Sequence, residues 1–282
     1  MSLSIRSFYH NASGTWSYLV TDQPQRKCAI IDPVMDFDLS SGSIGFDAIN
    51  PIIEIIETES LQLVWILETH AHADHLTAAN YVKQKLGGKT VIGAGITAVQ
   101  QHFAQVFNLD IACDGSQFDR LVSEGDRLAL GDFSFEVYST PGHTSDSIIY
   151  KIADNIFLGD TFFHPNSGTA RCDFPGGDAA TLFQSLSKIL SFSEQSRLWL
   201  CHDYPGNDRE PIDAIPLAQM KQNIHIQNAP NQASYVELRQ SRDSQLAVPK
   251  LLYPALQVNI CAGQLPQAES NGANYLKIPL RS

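Results

Sequence analysis

The stretch THAHADH, residues 69–75, places three histidines and one aspartate within seven positions. Residues two apart in an extended loop point the same way, so His70 and His72 can face one pocket. Asp74 and His75 follow at the start of the next predicted helix and can form a second group. Neutral imidazole and carboxylate suit zinc and ferrous iron alike. The stretch therefore predicts a metal site and leaves open whether it holds two zinc ions or one iron.

The same pattern recurs farther along the chain, where a buried strand is predicted to end and a ligand-type residue follows. His143 comes after STPG, Asp160 after FLG, and His202 after LWLC. Strand ends are rigid platforms, and loops there can gather side chains into one pocket. We expect one site from His70, His72 and His143, and a second from Asp74, His75 and His202, with Asp160 bridging the two.

The composition is that of a soluble globular protein. Of 282 residues, 43% are hydrophobic and 17% are charged, which allows a sizeable core. The net charge of −11 and the lack of a Lys/Arg cluster argue against a nucleic-acid partner. No apolar run is long enough to span a bilayer.

The cysteines and the N-terminus bear on the compartment. Five scattered cysteines without a C-x-x-C pair suit a reducing environment. The N-terminal residues contain no apolar segment typical of a signal peptide. We therefore expect a cytoplasmic protein without a membrane partner, and a homo-oligomer is compatible with the sequence.

Hydrophobic periodicity predicts a mixed α/β fold. TWSYLVTD and KCAIIDP form a predicted hairpin, and helices are predicted over residues 75–86 and 96–107. We expect residues 1–210 to form the catalytic domain. Residues 211–282 are expected to be an appended layer of the same globule, with helices followed by an irregular end from PALQVN onward.

The motifs THAHADH, TPGHT, FLGD and LCHDY together resemble those of the metallo-β-lactamase superfamily. The resemblance runs from the first hairpin to His202. It implies an αββα sandwich, here with a C-terminal extension. It also implies metal ligands on His70, His72, Asp74, His75, His143, Asp160 and His202.

The superfamily includes zinc thioesterases such as glyoxalase II and non-haem iron persulfide dioxygenases. Residues 168–186, CHDYPG at 201–206 and the C-terminal LQVNICAGQLP are similar to the persulfide dioxygenase (sulfur dioxygenase) family, the last to its bacterial "β-lactamase-like" branch. That resemblance implies one Fe(2+) per chain on His70, His143 and Asp160. His72, Asp74, His75 and His202 would then surround the ligands by hydrogen bonds or bind a second metal.

The implied reaction oxidises glutathione persulfide with O2 to sulfite and glutathione. Arg171 is expected to grip a substrate carboxylate, with an ion pair to Asp173 as the alternative, and Tyr204 is expected to form a hydrogen bond in the pocket. Ligand count alone would favour two Zn(2+) per chain and a hydrolase of glutathione thioesters like glyoxalase II, because ligands for two metals are present. The resemblance favours the iron enzyme.

Overall fold

The computed structural model describes residues 2–206 and 209–280. Its strands are β1 Leu3–His10, β2 Thr15–Asp22, β3 Lys27–Ile31, β4 Val34–Asp38, β5 Ser43–Gly45, β6 Gln62–Leu67, β7 Leu76–Thr77, β8 Lys89–Gly93, β9 Arg120–Val122, β10 Arg127–Leu130, β11 Phe133–Ser139, β12 Ile148–Ile152, β13 Asn155–Phe157, β14 Arg197–Trp199 and β15 Ala214–Pro216. Its helices are α1 Asn50–Thr58, α2 Ala79–Leu86, α3 Ile96–Phe107, α4 Ala179–Leu190, α5 Leu217–Met220, α6 Ile224–Asn228, α7 Gln232–Asp243 and α8 Leu252–Asn259.

Two six-stranded sheets form the centre of the molecule, in the orders β1-β2-β3-β6-β8-β9 and β10-β11-β12-β13-β14-β15. The inner strands β3 and β12 are buried on both faces, which explains their nearly continuous apolar runs. In β12, Tyr150 packs between the two sheets, whereas its neighbour Ile149 packs on the outer face. Alternation along each strand therefore supplies two hydrophobic layers at once.

Helices cover the outer face of each sheet. Apolar residues of α1, α2 and α8 pack on the first sheet, and those of α4 and α7 pack on the second. Asp178 begins α4 by accepting a hydrogen bond from the Thr181 backbone N–H, as its position in the sequence predicts. The layers confirm the predicted αββα sandwich.

Two predictions about local structure were wrong. The helix predicted over residues 75–86 begins only at Ala79, because Leu76 and Thr77 pair with β4 as a short strand. The C-terminal end predicted as irregular contains α8, a helix whose residues from Pro254 to Asn259 are all buried. In both places tertiary packing overrides the local pattern.

The C-terminal layer is continuous with the second sheet, because β15 pairs with β14. A boundary near residue 210 stays a prediction. Across the described residues, no helix combines the length and the apolar character needed to cross a membrane.

Candidate metal centre

The ligand-type residues predicted at strand ends lie in loops that directly follow buried strands. β6 ends at Leu67 before His70, β11 ends at Ser139 before His143, and the other two cases are β13 before Asp160 and β14 before His202. The first of these strands belongs to one sheet and the other three to the second sheet. The side chains therefore meet at the edge where the two sheets face each other.

Three of these residues form one compact group, named here the triad group. Donor atoms of His70, His143 and Asp160 all lie within 4.8 Å of one another. Asp160 Oδ2 is 3.9 Å from His70 Nε2 and 3.6 Å from His143 Nε2. These separations suit three donors arranged around a common ion better than direct hydrogen bonds.

The tautomer of His143 follows from its surroundings. Its Nδ1 lies 2.8 Å from the backbone carbonyl oxygen of Arg171. A carbonyl oxygen only accepts, so Nδ1 carries the proton and Nε2 keeps its lone pair for a metal. The loop that carries Arg171 thus orients a candidate ligand.

His70 is oriented in the same way by a buried relay. The Thr69 hydroxyl donates to Asp32 Oδ2 at 2.9 Å, and Thr69 Oγ1 lies 3.1 Å from His70 Nδ1. Because the hydroxyl proton is committed to the carboxylate, the hydroxyl oxygen accepts from Nδ1–H. The Nε2 atom of His70 is therefore left unprotonated and faces Asp160.

Four residues form a second group, named here the tetrad group. Donor atoms of His72, Asp74, His75 and His202 lie within 4.8 Å of one another. His202 Nε2 is 3.3 Å from Asp74 Oδ2 and also 3.3 Å from Asp160 Oδ1, so Asp160 lies between the two groups. Its role as a bridging ligand stays a prediction. His72 was expected beside His70 and His143, and its ring centroid is 4.0 Å from that of His70, while one of its donor atoms meets this distance limit with the tetrad group. Its place in either metal site stays a prediction.

The centre fits a bound cation. Several buried donor atoms there have no hydrogen-bond partner among the described residues, namely Nε2 of His70, His75 and His202, Oδ2 of Asp74 and Oδ1 of Asp160. Buried polar atoms without a hydrogen-bond partner are few in native proteins, and each one lowers the free energy of unfolding. Their concentration at one point indicates that a metal is their partner.

Protonation states agree with this interpretation. Burial and neighbouring histidines lower the pKa of His70 and of His72 well below the usual value, which keeps both imidazoles neutral and able to donate a lone pair. Burial raises the pKa of Asp160, although His202 and His143 oppose the shift. A cation would offset that burial cost by favouring the ionised carboxylate.

A cavity of about 430 Å³, named here the large cavity, opens beside the triad group, and its size is typical of small-molecule sites. His143 and Asp160 line its floor, and Tyr204 lines its wall. The Tyr204 ring stacks on His202 with the ring centroids 5.8 Å apart. A hydrogen bond from Tyr204 to a substrate stays a prediction.

Arg171 also lines this cavity, but its guanidinium is already engaged. Nε and Nη2 donate to the two carboxylate oxygens of Asp173 at 2.6 Å each, and Nη1 donates to the Ala247 carbonyl oxygen at 2.8 Å. The ion pair considered from the sequence is thus formed, and a grip on substrate stays a prediction. Arg242 of α7 lines the same cavity, is exposed, and has no side-chain partner among the described residues.

Sequence reasoning missed two residues that support the centre. Asp32 follows β3 directly and lies 3.1 Å from His72 Nε2, so the strand-end signal used elsewhere could have found it. Asn259 at the end of α8 donates to the carbonyl oxygens of His72 and His75 at 2.8 Å each. Nothing in the sequence around Asn259 predicts that contact.

Residues 10–193 match the sequence profile described as "Metallo-beta-lactamase superfamily". The chain belongs to this superfamily. A probable metallo-hydrolase of Burkholderia pseudomallei is 42% identical over 99% of this chain and 99% of its own. Glyoxylase B2 of Dictyostelium discoideum is 41% identical over 98% of this chain and 96% of its own. A beta-lactamase hydrolase-like protein of Xylella fastidiosa is 43% identical over 99% of this chain, which spans 65% of that relative.

More distant similarity reaches the persulfide dioxygenase ETHE1. The mitochondrial mouse protein is 28% identical over 72% of this chain and 69% of its own. A crystal structure of ETHE1 from Myxococcus xanthus has a TM-score of 0.73 and 26% identity, and it covers 94% of this chain and 100% of its own. Superfamily membership and the candidate metal sites together indicate a metal-dependent hydrolase or oxidoreductase.

Proposed function

We propose that this protein is a mononuclear non-haem iron persulfide dioxygenase that oxidises glutathione persulfide with O2 to sulfite and glutathione. The observation that carries the proposal is the triad group, His70, His143 and Asp160, of which His143 and Asp160 line the floor of the large cavity. Two imidazoles and one carboxylate on one side of an ion are the donor set of ferrous oxygenases, with open positions opposite. Similarity to ETHE1 over most of the chain supports the same choice.

Bound at the triad group, Fe(2+) would supply the redox chemistry that joins O2 to sulfur. The protein's own residues orient the metal ligands and exclude water from the cavity. The Arg171 carbonyl and the Thr69 hydroxyl fix the imidazoles of His143 and His70, so both Nε2 atoms face inward. The side chains of Phe163 and Phe174 line the cavity and limit the access of water.

The overall reaction balances with one added water. Both atoms of O2 and the oxygen of that water end on the terminal sulfur of the persulfide, and the electrons lost by this sulfur reduce the O2. The sulfur–sulfur bond breaks with its electron pair on the glutathione sulfur, which takes up one proton and leaves as the thiol. The other two protons are released with sulfite and are shared between sulfite and solvent.

Arg242 is the side chain we assign to the substrate carboxylate. The chain carries a net charge of −11, so an anionic substrate needs a local cation. Arg171 and Arg239 line the same cavity, but they are paired with Asp173 and Asp243, whereas Arg242 has no such pair among the described residues. A guanidinium offers a carboxylate two parallel hydrogen bonds.

Replacement of Arg242 by alanine should raise the KM for glutathione persulfide by at least about tenfold, because a hydrogen bond to a charged group contributes about 1.5–3 kcal/mol. The value of kcat should change little. Arg127→Ala is the matched control and should leave KM unchanged. It removes an exposed arginine of β10 that is paired with Glu136 of β11. Equal KM values for both variants would remove Arg242 from the substrate site.

The decisive experiment on the reaction measures metal content and oxygen uptake together. Protein purified without oxygen should contain about one iron per chain and consume O2 with glutathione persulfide. Replacement of Asp160 by alanine should abolish both metal retention and turnover. Turnover preserved in that variant would remove Asp160 from the site.

A second candidate function is a dinuclear zinc hydrolase of glutathione thioesters. The tetrad group favours it, because these four residues and the bridging Asp160 can hold a second ion. The 41% identity to Glyoxylase B2 points the same way. About two zinc ions per chain, brisk hydrolysis of S-lactoylglutathione and no oxygen uptake would establish the hydrolase and overturn the dioxygenase.

A further inference from the structure

A second, much smaller cavity lies against the triad group. Its volume is about 20 Å³, and it is named here the apolar cavity. Space for one water-sized molecule begins at roughly 10–15 Å³, so it can hold a single small molecule. Its lining consists of Ala71, Ala73, Val99, Phe103, His143, Thr144, Phe174, Pro175 and Leu256.

The few polar side-chain atoms in this lining are committed elsewhere. Thr144 Oγ1 pairs with Ser147 Oγ at 2.6 Å, and His143 Nδ1 donates to the Arg171 carbonyl oxygen. His143 Nε2 belongs to the triad group, 3.6 Å from Asp160 Oδ2. A buried water requires roughly two to four hydrogen-bond partners, and apolar cavities that lack such partners stay dry and can take up apolar molecules such as xenon. The chemistry of the lining therefore suits an apolar diatomic molecule better than water.

The apolar cavity borders a surface groove that is distinct from the large cavity. A groove of about 170 Å³, lined among others by Val106, Val248 and Leu252, shares Phe103, Phe174 and Pro175 with it. On its other side the apolar cavity shares Ala73, His143 and Phe174 with the large cavity. Phe174 thus lines all three spaces, with its ring edge-on to His143 at a centroid distance of 5.2 Å.

We propose that the apolar cavity is the site through which dioxygen reaches the metal-binding residues, while the sulfur substrate enters through the large cavity. This inference rests on the proposed dioxygenase function. A substrate that fills the large cavity would block the direct path of O2, and the apolar cavity gives O2 a separate approach beside His143. A hydrolase has no use for such a site, because its second reactant is water.

Val99 is the residue through which the site can be changed without touching a ligand. It lies on α3 and is 7% exposed, and conversion to leucine adds a methylene group to a cavity of only about 20 Å³. Val99→Ala enlarges the same space. Val82→Leu is the matched control, because Val82 is a fully buried valine of α2 that lines neither cavity nor the groove.

Crystals of the complete protein exposed to xenon gas supply a test that does not depend on turnover. Xenon should bind between Val99 and Leu256 in the wild type and in Val82→Leu, with higher occupancy in Val99→Ala and none in Val99→Leu. Absence of xenon from this position in both the wild type and Val99→Ala overturns the site.

Oxygen kinetics on iron-loaded protein test the role. In Val99→Leu the KM for O2 should rise by at least about threefold, while kcat and the KM for glutathione persulfide stay within about twofold. An unchanged KM for O2 in a variant that has lost xenon binding overturns the oxygen role alone. A wild-type enzyme that consumes no O2 overturns the proposed function as well, so the two failures are distinguishable.

Discussion

Asn259 offers a sharp test of whether the C-terminal layer holds the metal centre in place. Its side chain is 3% exposed, and Nδ2 donates to the carbonyl oxygens of His72 and His75 at 2.8 Å each. Its Oδ1 accepts from the Thr77 backbone N–H at 2.8 Å. Replacement by aspartate keeps the shape and this last bond, but it turns an oxygen toward the two carbonyl oxygens.

The expected loss follows from these contacts. Each of the two lost hydrogen bonds contributes about 1 kcal/mol, and buried carbonyl groups left without donors raise the cost, so Asn259→Asp should lower the free energy of unfolding by about 2–4 kcal/mol. The loop that carries His72 and His75 should loosen in particular. We therefore expect faster release of bound metal to a chelator, in addition to lower stability in urea.

Gln100→Glu is the matched control for this substitution. Gln100 is fully buried, and its Nε2 donates to Gln117 Oε1 and to the carbonyl oxygen of Ile260, next to Asn259, but not to the ligand loop. It should lose comparable stability and keep its metal. If both variants release metal at the same rate, the contact with Asn259 supports the fold alone and our reasoning about the loop is refuted.

Two further predictions concern buried hydrogen bonds near the centre. Thr69→Val removes the hydroxyl between Asp32 and His70 at nearly constant volume, so metal affinity should fall by about tenfold, as measured by competition with a chelator; unchanged affinity would contradict the assigned tautomer. His225 has a pKa lowered to about 4 by burial and by nearby arginines, and its Nδ1 accepts from the Thr169 backbone N–H at 2.9 Å. As the pH falls, the His225 imidazole is therefore protonated in the unfolded chain at a higher pH than in the folded chain. The free energy of unfolding decreases as the pH falls from about 6.5 toward 4, by about 2 kcal/mol near pH 5. Urea unfolding at several pH values should show that loss shrinking in His225→Asn, and an identical pH dependence in both proteins would count against it.

The parts of the fold that local sequence determines were predictable. Alternating apolar residues identified the β2–β3 hairpin, and helical spacing identified α3 with its bounds at Ile96 and Phe107. Four candidate ligands were singled out because each one follows a predicted buried strand, and His72, Asp74 and His75 because of the dense spacing of THAHADH. Asp32 follows the same rule after β3 and could have been included.

Other features depend on contacts between distant residues. Thr77 lies in a strand instead of a helix because β4 pairs with it and Asn259, 182 positions away, accepts from its backbone N–H. The engagement of Arg171 by Ala247 depends on a contact across 76 positions. Periodicity within a short window contains no information about such contacts, so neither outcome could be derived from it.

The origin of the ligands at strand ends of both sheets has a consequence for biosynthesis. His70 lies in the part of the chain that leaves the ribosome first, whereas His143, Asp160 and His202 follow much later. The triad group is therefore complete only after residue 160 has emerged and the second sheet has docked on the first, and the tetrad group only after residue 202 has emerged. Contacts between residues so far apart in the sequence form slowly. A nascent chain therefore passes through an interval in which the histidines of residues 69–75 are exposed to other metal ions before the site is complete. The order of synthesis thus makes metal acquisition a late event.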